Sequence, residues 1–523
     1  MENKLKSLPL GIQTFSKIIE SNNLYVDKTK DIYNIISSNE SNFFFLSRPR
    51  RFGKSLLIST LDEIFSGNQE LFKGLYIYDK IEWKKYPVIR IDFTGLVYVE
   101  GVKGFKDSFF NKIKNIGLNY QIELKSTDYK TAAQELIIEL SKVDKVVILI
   151  DEYDKPIVEF IDNAEIRNQM KDIVKDFYLV IKESDKYIKF AFLTGVSKFS
   201  KISVFSGLNN LTDITLDKRF ATITGYTEEE LYYYFDDRIK LFAAIENITE
   251  HELKQVLREW YNGYSWDGKN FVYNPFSIMN VLSVQQINNY WFQSGTPTFL
   301  IKLIKDKNID VKSLENIEMQ KEALDSFEIE NINVESLLFQ TGYLTIKKIE
   351  EYSISDRIYI LNYPNLEVRE SLLRNILNSF LNSFNDDVLV GKLYRLLNKN
   401  NLDEFFRILK DIFSHIPAEI FMSDKEAYYH TIIYLILTLI GVRINVEVHT
   451  NKGRIDAVIE TENNIYIIEF KMSSTKQALK QIEDKKYYES YLLSKKVIYL
   501  IGVSFSSKAR NIKEYTIKEL NPT

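Results

Sequence analysis

The chain has 523 residues, 45% of them hydrophobic and 27% charged, with a formal net charge of −4. That length exceeds a single hydrophobic core and implies two to four domains, and the weak net charge excludes a global basic field, so any nucleic-acid contact must come from local patches. Cysteine is absent, which excludes disulfides, thiol catalysis and cysteine-based zinc sites and fits a reducing cytoplasm.

The N-terminus, MENKLKSLPLGIQTF, has no apolar region of signal-peptide type. YVDKT (Tyr25–Thr29) precedes a helical pattern, DIYNIISS, with Asp27 or Thr29 as its cap. Phe43–Leu46 is an apolar run of strand length; RPRRFGKS breaks it, and SLLISTLDEIF then places apolar residues at helical spacing. Strand, loop, then Gly-Lys-Ser opening a helix is the architecture of a phosphate-binding P-loop. Backbone N–H groups meet the phosphate charge, Lys54 reaches the β- and γ-phosphates, and Ser55 offers a hydroxyl to Mg²⁺. The pattern G-x-x-x-x-G-K-[ST] wants its first glycine where this chain has Arg48. Candidate nucleotide contacts are therefore Arg48, Pro49, Arg50, Arg51, Phe52, Gly53, Lys54 and Ser55, with a basic strand-to-helix turn as the alternative.

VIRIDF (Val88–Phe93) forms another strand, and a helical stretch around Thr131–Ser141 leads to KVVILIDEYD (Lys145–Asp154). Val146–Ile150 fits a strand buried on both faces, ending in the acidic pair of a Walker B segment. There Asp151 holds Mg²⁺, directly or through water, and Glu152 polarises the attacking water. A buried strand ending in an acidic turn is common, but its joint occurrence with Arg48–Ser55 is not. FAFLTGV (Phe190–Val196) is the next buried strand and ends in the polar Thr194. Strands alternating with helices give a parallel α/β sheet over residues 1–225.

Beyond Gly225 the pattern turns helical. Thr227-x-x-Glu230 is a capping box opening TEEELYYYFDDRIKLF, and a second helix, HELKQVLREWYNGY, stops at Gly263. Residues 226–385 are mostly helical, with a strand-like pair at Tyr343–Ile349 and Arg357–Tyr363. A helix followed by such a hairpin is compatible with a winged-helix subdomain; a lid or docking subdomain is the broader description. The longest apolar run, Ile432–Val442, is too short to span a bilayer. The four histidines show no zinc-ligand spacing.

Near the C-terminus GRIDAVIE (Gly453–Glu460) and IYIIEFK (Ile465–Lys471) alternate as strands, separated by the turn-like Thr461–Asn464. A four-residue loop pairs Glu460 with Ile465 and sets Asp456 opposite Glu469, their Cβ atoms about 4.5–5.5 Å apart. Lys471, two residues on, shares that face, so two carboxylates and an amine gather there. Paired carboxylates suit Mg²⁺ or Mn²⁺, which would activate water against a phosphodiester with Lys471 orienting or deprotonating the nucleophile. A charged, solvated hairpin face has the same letters. Glu426, opening the helix KEAYYHTIIYLILTLIG, forms a capping box with Ser423 or, as the resemblance of these strands to a nuclease core implies, assists the metal. After Lys471, STKQALKQIEDKKYYESY reads as a basic helix offering Lys476, Lys480, Gln481, Lys485 and Tyr487 to nucleic acid, or as a solvated face diluted by Glu483 and Asp484.

YVDKT, SRPRRFGKSLL (Ser47–Leu57), YPVIRIDF (Tyr86–Phe93), LIDEYDKP (Leu149–Pro156), LTGVSKFSK (Leu193–Lys201), WYNGY (Trp260–Tyr264) and YNPFSIMN (Tyr273–Asn280) together resemble one bacterial family. That family joins an AAA-ATPase-like domain to a C-terminal PD-(D/E)XK nuclease-like domain, and the resemblance runs over nearly the whole chain, in order. The arginine at position 48 belongs to the family pattern. Thr194 resembles a γ-phosphate sensor, and Gln481 the polar residue on the helix after the nuclease motif. Asp456, Glu469 and Lys471 match the D-x₁₂-E-x-K core, with Ile455 where the motif's name has proline.

The resemblance implies an α/β multidomain fold: a P-loop parallel α/β ATPase domain (1–225), a mostly helical lid region (226–385) and an α/β restriction-endonuclease-like domain (386–523). It implies ATP and Mg²⁺ or Mn²⁺ as cofactors, hydrolysis of ATP, and cleavage of nucleic acid, foremost DNA. A cytoplasmic protein without membrane contact is expected, and a homo-oligomer is compatible with it. The competing expectations are an ATP-driven switch whose nuclease-like domain binds without cutting, and nucleotide binding without hydrolysis.

Overall fold

The computed structural model describes residues 5–38, 40–198, 210–291, 300–301, 303–304, 307, 314–325, 333–353, 356–381, 386–414, 426–440, 443–450, 453–506 and 508–520. They fall into two compact units, one of residues 1–295 with 314–369, the other of residues 296–313 with 370–523.

The first unit is built on a five-stranded sheet. Its strands are β1 (Phe43–Ser47), β2 (Val88–Asp92), β3 (Val146–Asp151), β4 (Ile188–Gly195) and β5 (Thr212–Asp213), in the order β2-β3-β4-β1-β5. Every pairing is parallel. Every residue of β1 and β3 is buried, which explains why both read as unbroken apolar runs: helices cover both faces of such a sheet. Phe44, Leu46, Val147, Leu149, Phe190 and Phe192 pack one face against the helix Lys54–Phe65. The pairings Leu46↔Thr194, Ile150↔Leu193 and Asp92↔Asp151 align the carboxyl ends of all four long strands, so their loops rise from one edge.

The same unit continues into a helical region. The helices Glu228–Glu246 and Glu250–Tyr261 each begin with a capping box, Thr227/Glu230 and Thr249/Glu252, and share a core of Leu231, Phe235, Ile239, Leu253, Leu257 and Ile278. The helix Val334–Thr341 leads into an antiparallel hairpin of β7 (Thr345–Glu351) and β8 (Arg357–Asn362), extended by β6 (Ile317–Met319) in the order β6-β8-β7.

The second unit centres on a mixed sheet, β13-β12-β11-β10-β9, comprising β9 (Arg443–Thr450), β10 (Gly453–Glu460), β11 (Asn464–Lys471), β12 (Val497–Ser506) and β13 (Asn511–Leu520). Only β11 and β12 run parallel; the helix Thr475–Asp484 makes the crossover between them. Among the described residues no helix is long and apolar enough to cross a membrane.

Candidate functional site

Two sites follow from the carboxyl ends of these strands. In the first unit Gly53 takes a left-handed φ of 84°, turning the chain sharply from the loop into the helix Lys54–Phe65, whose first amides no side chain caps. Uncapped N–H groups at the positive end of a three-turn helix form an anion site. Lys54 is buried and its ammonium donates to the carbonyls of Arg48 and Pro49, each at 2.9 Å. Burial lowers its pKa, while Glu152, Asp151 and Asp154 favour the charge.

A cavity of about 550 Å³ opens onto this loop. Arg50, Arg51, Phe52, Gly53, Lys54 and Ser55 line it, together with Thr94, Glu152 and Lys155. Ile12, Tyr25, Val26, Ile223, Tyr226 and Met279 also line it. Its lining is thus mixed, polar and apolar, as a nucleotide pocket's would be. Glu152 has φ 51°, a strained conformation for a residue with a side chain, and its carboxylate accepts a 2.8 Å hydrogen bond from the Thr94 hydroxyl. Asp151, only 2% exposed, lies behind it and accepts from the Thr194 hydroxyl at 2.6 Å and from the Glu152 amide at 3.1 Å. Burial pushes Asp154 up to about 6, against the Ser197 amide that holds it down.

Four expected contacts, Arg48, Pro49, Asp151 and Thr194, are absent from the cavity lining. Arg48 is fully buried beneath the loop: its guanidinium donates to the carbonyls of Ser47, Thr215 and Phe220 and lies 3.8 Å over the Trp266 ring. Its side chain does not line the cavity; burial brings its pKa down to about 9. Pro49 is likewise outside the lining and offers only its carbonyl to Lys54. Thr194 is buried in mid-sheet, so it orients Asp151 instead of facing the cavity. Thr94, Lys155, Tyr25 and Lys28 were not singled out from sequence although all line the cavity. Their signal was position: Thr94 lies two residues and Lys155 four residues past a strand end, and the other two lie in YVDKT. Within YVDKT neither expected residue is the N-cap: Lys28 holds that position, Thr29 is the first helical residue, and the Asp27 carboxylate, one residue earlier, accepts from the Thr29 amide at 2.8 Å.

In the second unit the pairing runs from Glu460↔Ile465 to Ala457↔Ile468 and stops one residue short of Asp456 and Glu469, which the same register, continued, would set opposite each other. The Phe470 amide donates to Asp456 Oδ2 at 2.8 Å, and Lys471 Nζ lies 2.9 Å from Glu469 Oε1, so the three motif side chains do converge. The face is not a solvated one: Glu469 is 1% exposed, beneath the crossover helix, from which Gln481 donates to Glu469 Oε1. Gly502, the rung partner of Glu469 on β12, permits that approach, since a Cβ there would lie 2.5 Å from the Thr475 carbonyl. Glu469 Oε2 is buried without a hydrogen-bond partner, and burial, then the neighbouring Asp456 charge, raises its pKa. Two repelling carboxylates with an unsatisfied buried oxygen fit a divalent cation held by Asp456 and Glu469. Among the described residues no group of three or more acidic or histidine side chains gathers to complete such a site.

Glu426 is the first residue of the helix Glu426–Leu439, but its side chain and Ser423 lie outside what is described. The basic helix is shorter than its sequence suggests. It ends at Asp484, and Lys486 takes a left-handed φ of 51°. Lys476, Lys480 and Lys485 are exposed, whereas Tyr487 is 2% exposed in the core with Val458, Ile467, Ile482 and Leu500, and so is not a surface for nucleic acid.

Residues 9–205 match the family model described as predicted AAA-ATPase, and residues 424–515 the PD-(D/E)XK nuclease superfamily. A protein of Azotobacter chroococcum mcd 1, described as "Uncharacterized protein in vnfD 5'region", is 37% identical over 530 residues, covering 98% of this chain and 99% of that one. A solved signal-transduction ATPase with a tetratricopeptide repeat sensor from Pyrococcus horikoshii is 12% identical with a TM-score of 0.27; the match covers 84% of this chain and 59% of that one. With end-to-end similarity to the Azotobacter protein and both domain models in order, the chain belongs to the family that joins a predicted AAA-ATPase domain to a C-terminal domain of the PD-(D/E)XK nuclease superfamily.

Proposed function

We propose that the first unit binds and hydrolyses ATP and that the second cleaves phosphodiester bonds in nucleic acid, foremost DNA. The observation that carries the first half is convergence on one cavity of an uncapped helix N-terminus, Lys54, Ser55 and Glu152. Phosphate oxygens replace the carbonyls of Arg48 and Pro49 as partners of Lys54. Glu152, held by Thr94, takes a proton from the water attacking the γ-phosphate. Ser55 and Asp151 are the residues to hold Mg²⁺, which when bound neutralises charge on the β- and γ-phosphates.

In the second unit Asp456 and Glu469 are the residues to hold Mg²⁺ or Mn²⁺, whose chemistry there is activation of water and neutralisation of phosphodiester charge. Lys471 orients the attacking water, and the exposed Lys476 and Lys480 contact phosphates. The burial of Glu469 under the crossover helix favours one rival reading, a nuclease fold that binds nucleic acid or protein without cutting. Labelled DNA and RNA, incubated with wild type and Asp456→Ala at each combination of ATP, Mg²⁺ and Mn²⁺, separate the two. Metal-dependent cutting by wild type alone supports the nuclease; no cutting under any condition selects the binding module. Lys54→Ala tests the ATPase half and should abolish ATP binding.

A further inference from the structure

Arg51 occupies an unusual place in the phosphate loop. Its backbone φ is 64°, where a side chain is strained. The residues beside it are pinned: the Arg50 carbonyl accepts from Trp291 Nε1 at 3.3 Å, and Phe52 packs edge-on against Tyr264 and Trp266, with ring centroids 4.7 and 5.5 Å apart. Arg51 is therefore held at the rim of the cavity by its neighbours, and only its side chain is free to move. That side chain is exposed, and among the described residues it has no carboxylate or hydrogen-bonding partner. Its guanidinium instead rests 3.7 Å above the ring of Phe276, which also lines the cavity. Phe276 belongs to the first turn of the helix Pro275–Val284, where its amide is capped by Asn274 at 2.9 Å.

A cation on an aromatic face, three residues before the P-loop lysine and facing a polyphosphate pocket, is in a resting position. A phosphate dianion offers it charge-assisted, bidentate hydrogen bonds that a ring cannot. We propose that Arg51 is a catalytic cation supplied in cis, which leaves Phe276 to take the terminal phosphate of a bound nucleoside triphosphate. The helix Pro275–Val284 thereby loses its tie to the loop, so the helical region distinguishes triphosphate from monophosphate. This rests on the reading of the cavity as a nucleotide site. It also accounts for an arginine at a left-handed position that glycine would fill without strain: the side chain has work to do there.

The test is calorimetric binding of ATP, ADP and AMP, with ATP turnover, to the full-length chain and four variants: Lys54→Ala, Arg51→Ala, Phe276→Leu and the double Arg51→Ala/Phe276→Leu. Leucine keeps the apolar packing and removes the ring. Arg51→Ala should weaken ATP roughly ten-fold or more relative to AMP and lower kcat by a larger factor. Phe276→Leu should tighten ATP by about two- to thirty-fold, because the resting contact it removes competes with phosphate. It should have no such effect once Arg51 is gone. Equal weakening of ATP and AMP by Phe276→Leu, with or without Arg51, makes Phe276 a simple wall and overturns the proposal. So does wild-type ATP affinity and turnover in Arg51→Ala. A wild-type chain that binds no nucleotide removes the parent reading as well, whereas loss of binding in Lys54→Ala alone leaves that reading intact.

Discussion

Glu367 gives the sharpest quantitative test of the first unit. It is fully buried; Oε1 accepts the amides of Tyr290 at 2.7 Å and Trp291 at 2.8 Å, and Oε2 accepts the Ser277 hydroxyl at 2.8 Å. Burial outweighs those three donors and pushes the carboxyl up to about 7, from an ordinary value of 4.5. A folded pKa above the unfolded one means the fold disfavours the ionised form. Below pH 4.5 the group is protonated in both states and adds no pH-dependent cost. As pH rises from 4.5 to about 7 the wild type loses stability, by up to about 3 kcal/mol at roughly 1.4 kcal/mol per unit. Glu367→Gln keeps the shape and an acceptor for the two amides but cannot ionise. It should match or trail wild type at pH 4.5 and gain on it by about 3 kcal/mol by pH 8. Glu367→Ala should instead lose stability at every pH, since it strands three buried donors at about 1–3 kcal/mol each. The chain's four tryptophans, Trp83, Trp260, Trp266 and Trp291, all lie in the first unit, so tryptophan fluorescence during urea unfolding reports on it directly. Stability curves for wild type and Glu367→Gln that stay parallel from pH 4.5 to 8 would refute the reasoning.

Glu152→Gln should retain ATP binding while turnover falls by roughly 10²–10⁴, the range for loss of a general base, measured as phosphate release against ATP affinity. Thr94→Val should cut turnover about ten-fold at unchanged affinity, because it frees the Glu152 carboxylate; unchanged turnover would leave the 2.8 Å contact without a catalytic role. Asp456→Ala should end cleavage yet keep or strengthen nucleic-acid binding, as repulsion of phosphate falls; a gel-shift titration beside a nicking assay reads both. Lys476→Ala with Lys480→Ala should weaken binding of all sequences alike and reduce the slope of log affinity against log salt by up to about 2.

The strands and the two motif sites were legible because their signals are local. A doubly buried strand is apolar along most of its length, and the 2-residue period of a hairpin lets an even loop fix which residues share a face, so Asp456 and Glu469, whose charges do act on each other, could be brought to one face from spacing alone. Arg48 misled for the opposite reason. Next to the Gly-Lys-Ser turn it reads as a phosphate ligand, but its partners Thr215, Phe220 and Trp266 come from more than 160 residues away in sequence. Tyr487 misled through a helix end: the lysines just before it, Lys485 and Lys486, imply a basic surface, but once the helix stops at Asp484 the chain turns and drives the ring into the core. Thr94 was hidden because a threonine after a strand says nothing until the Asp92↔Asp151 register brings it to Glu152.

The aromatic seating of the phosphate loop also sets how small a working ATPase fragment can be. Phe52 and Arg48 rest on Tyr264 and Trp266, and Arg50 is held by Trp291, all beyond residue 225. A fragment cut at the end of the parallel sheet would contain every residue of the loop yet lack the surface that shapes it, leaving the Arg48 guanidinium and the Phe52 ring uncovered. The nucleotide domain of this chain is thus not a portable module. Its loop keeps this seating only together with the helical region that follows the sheet.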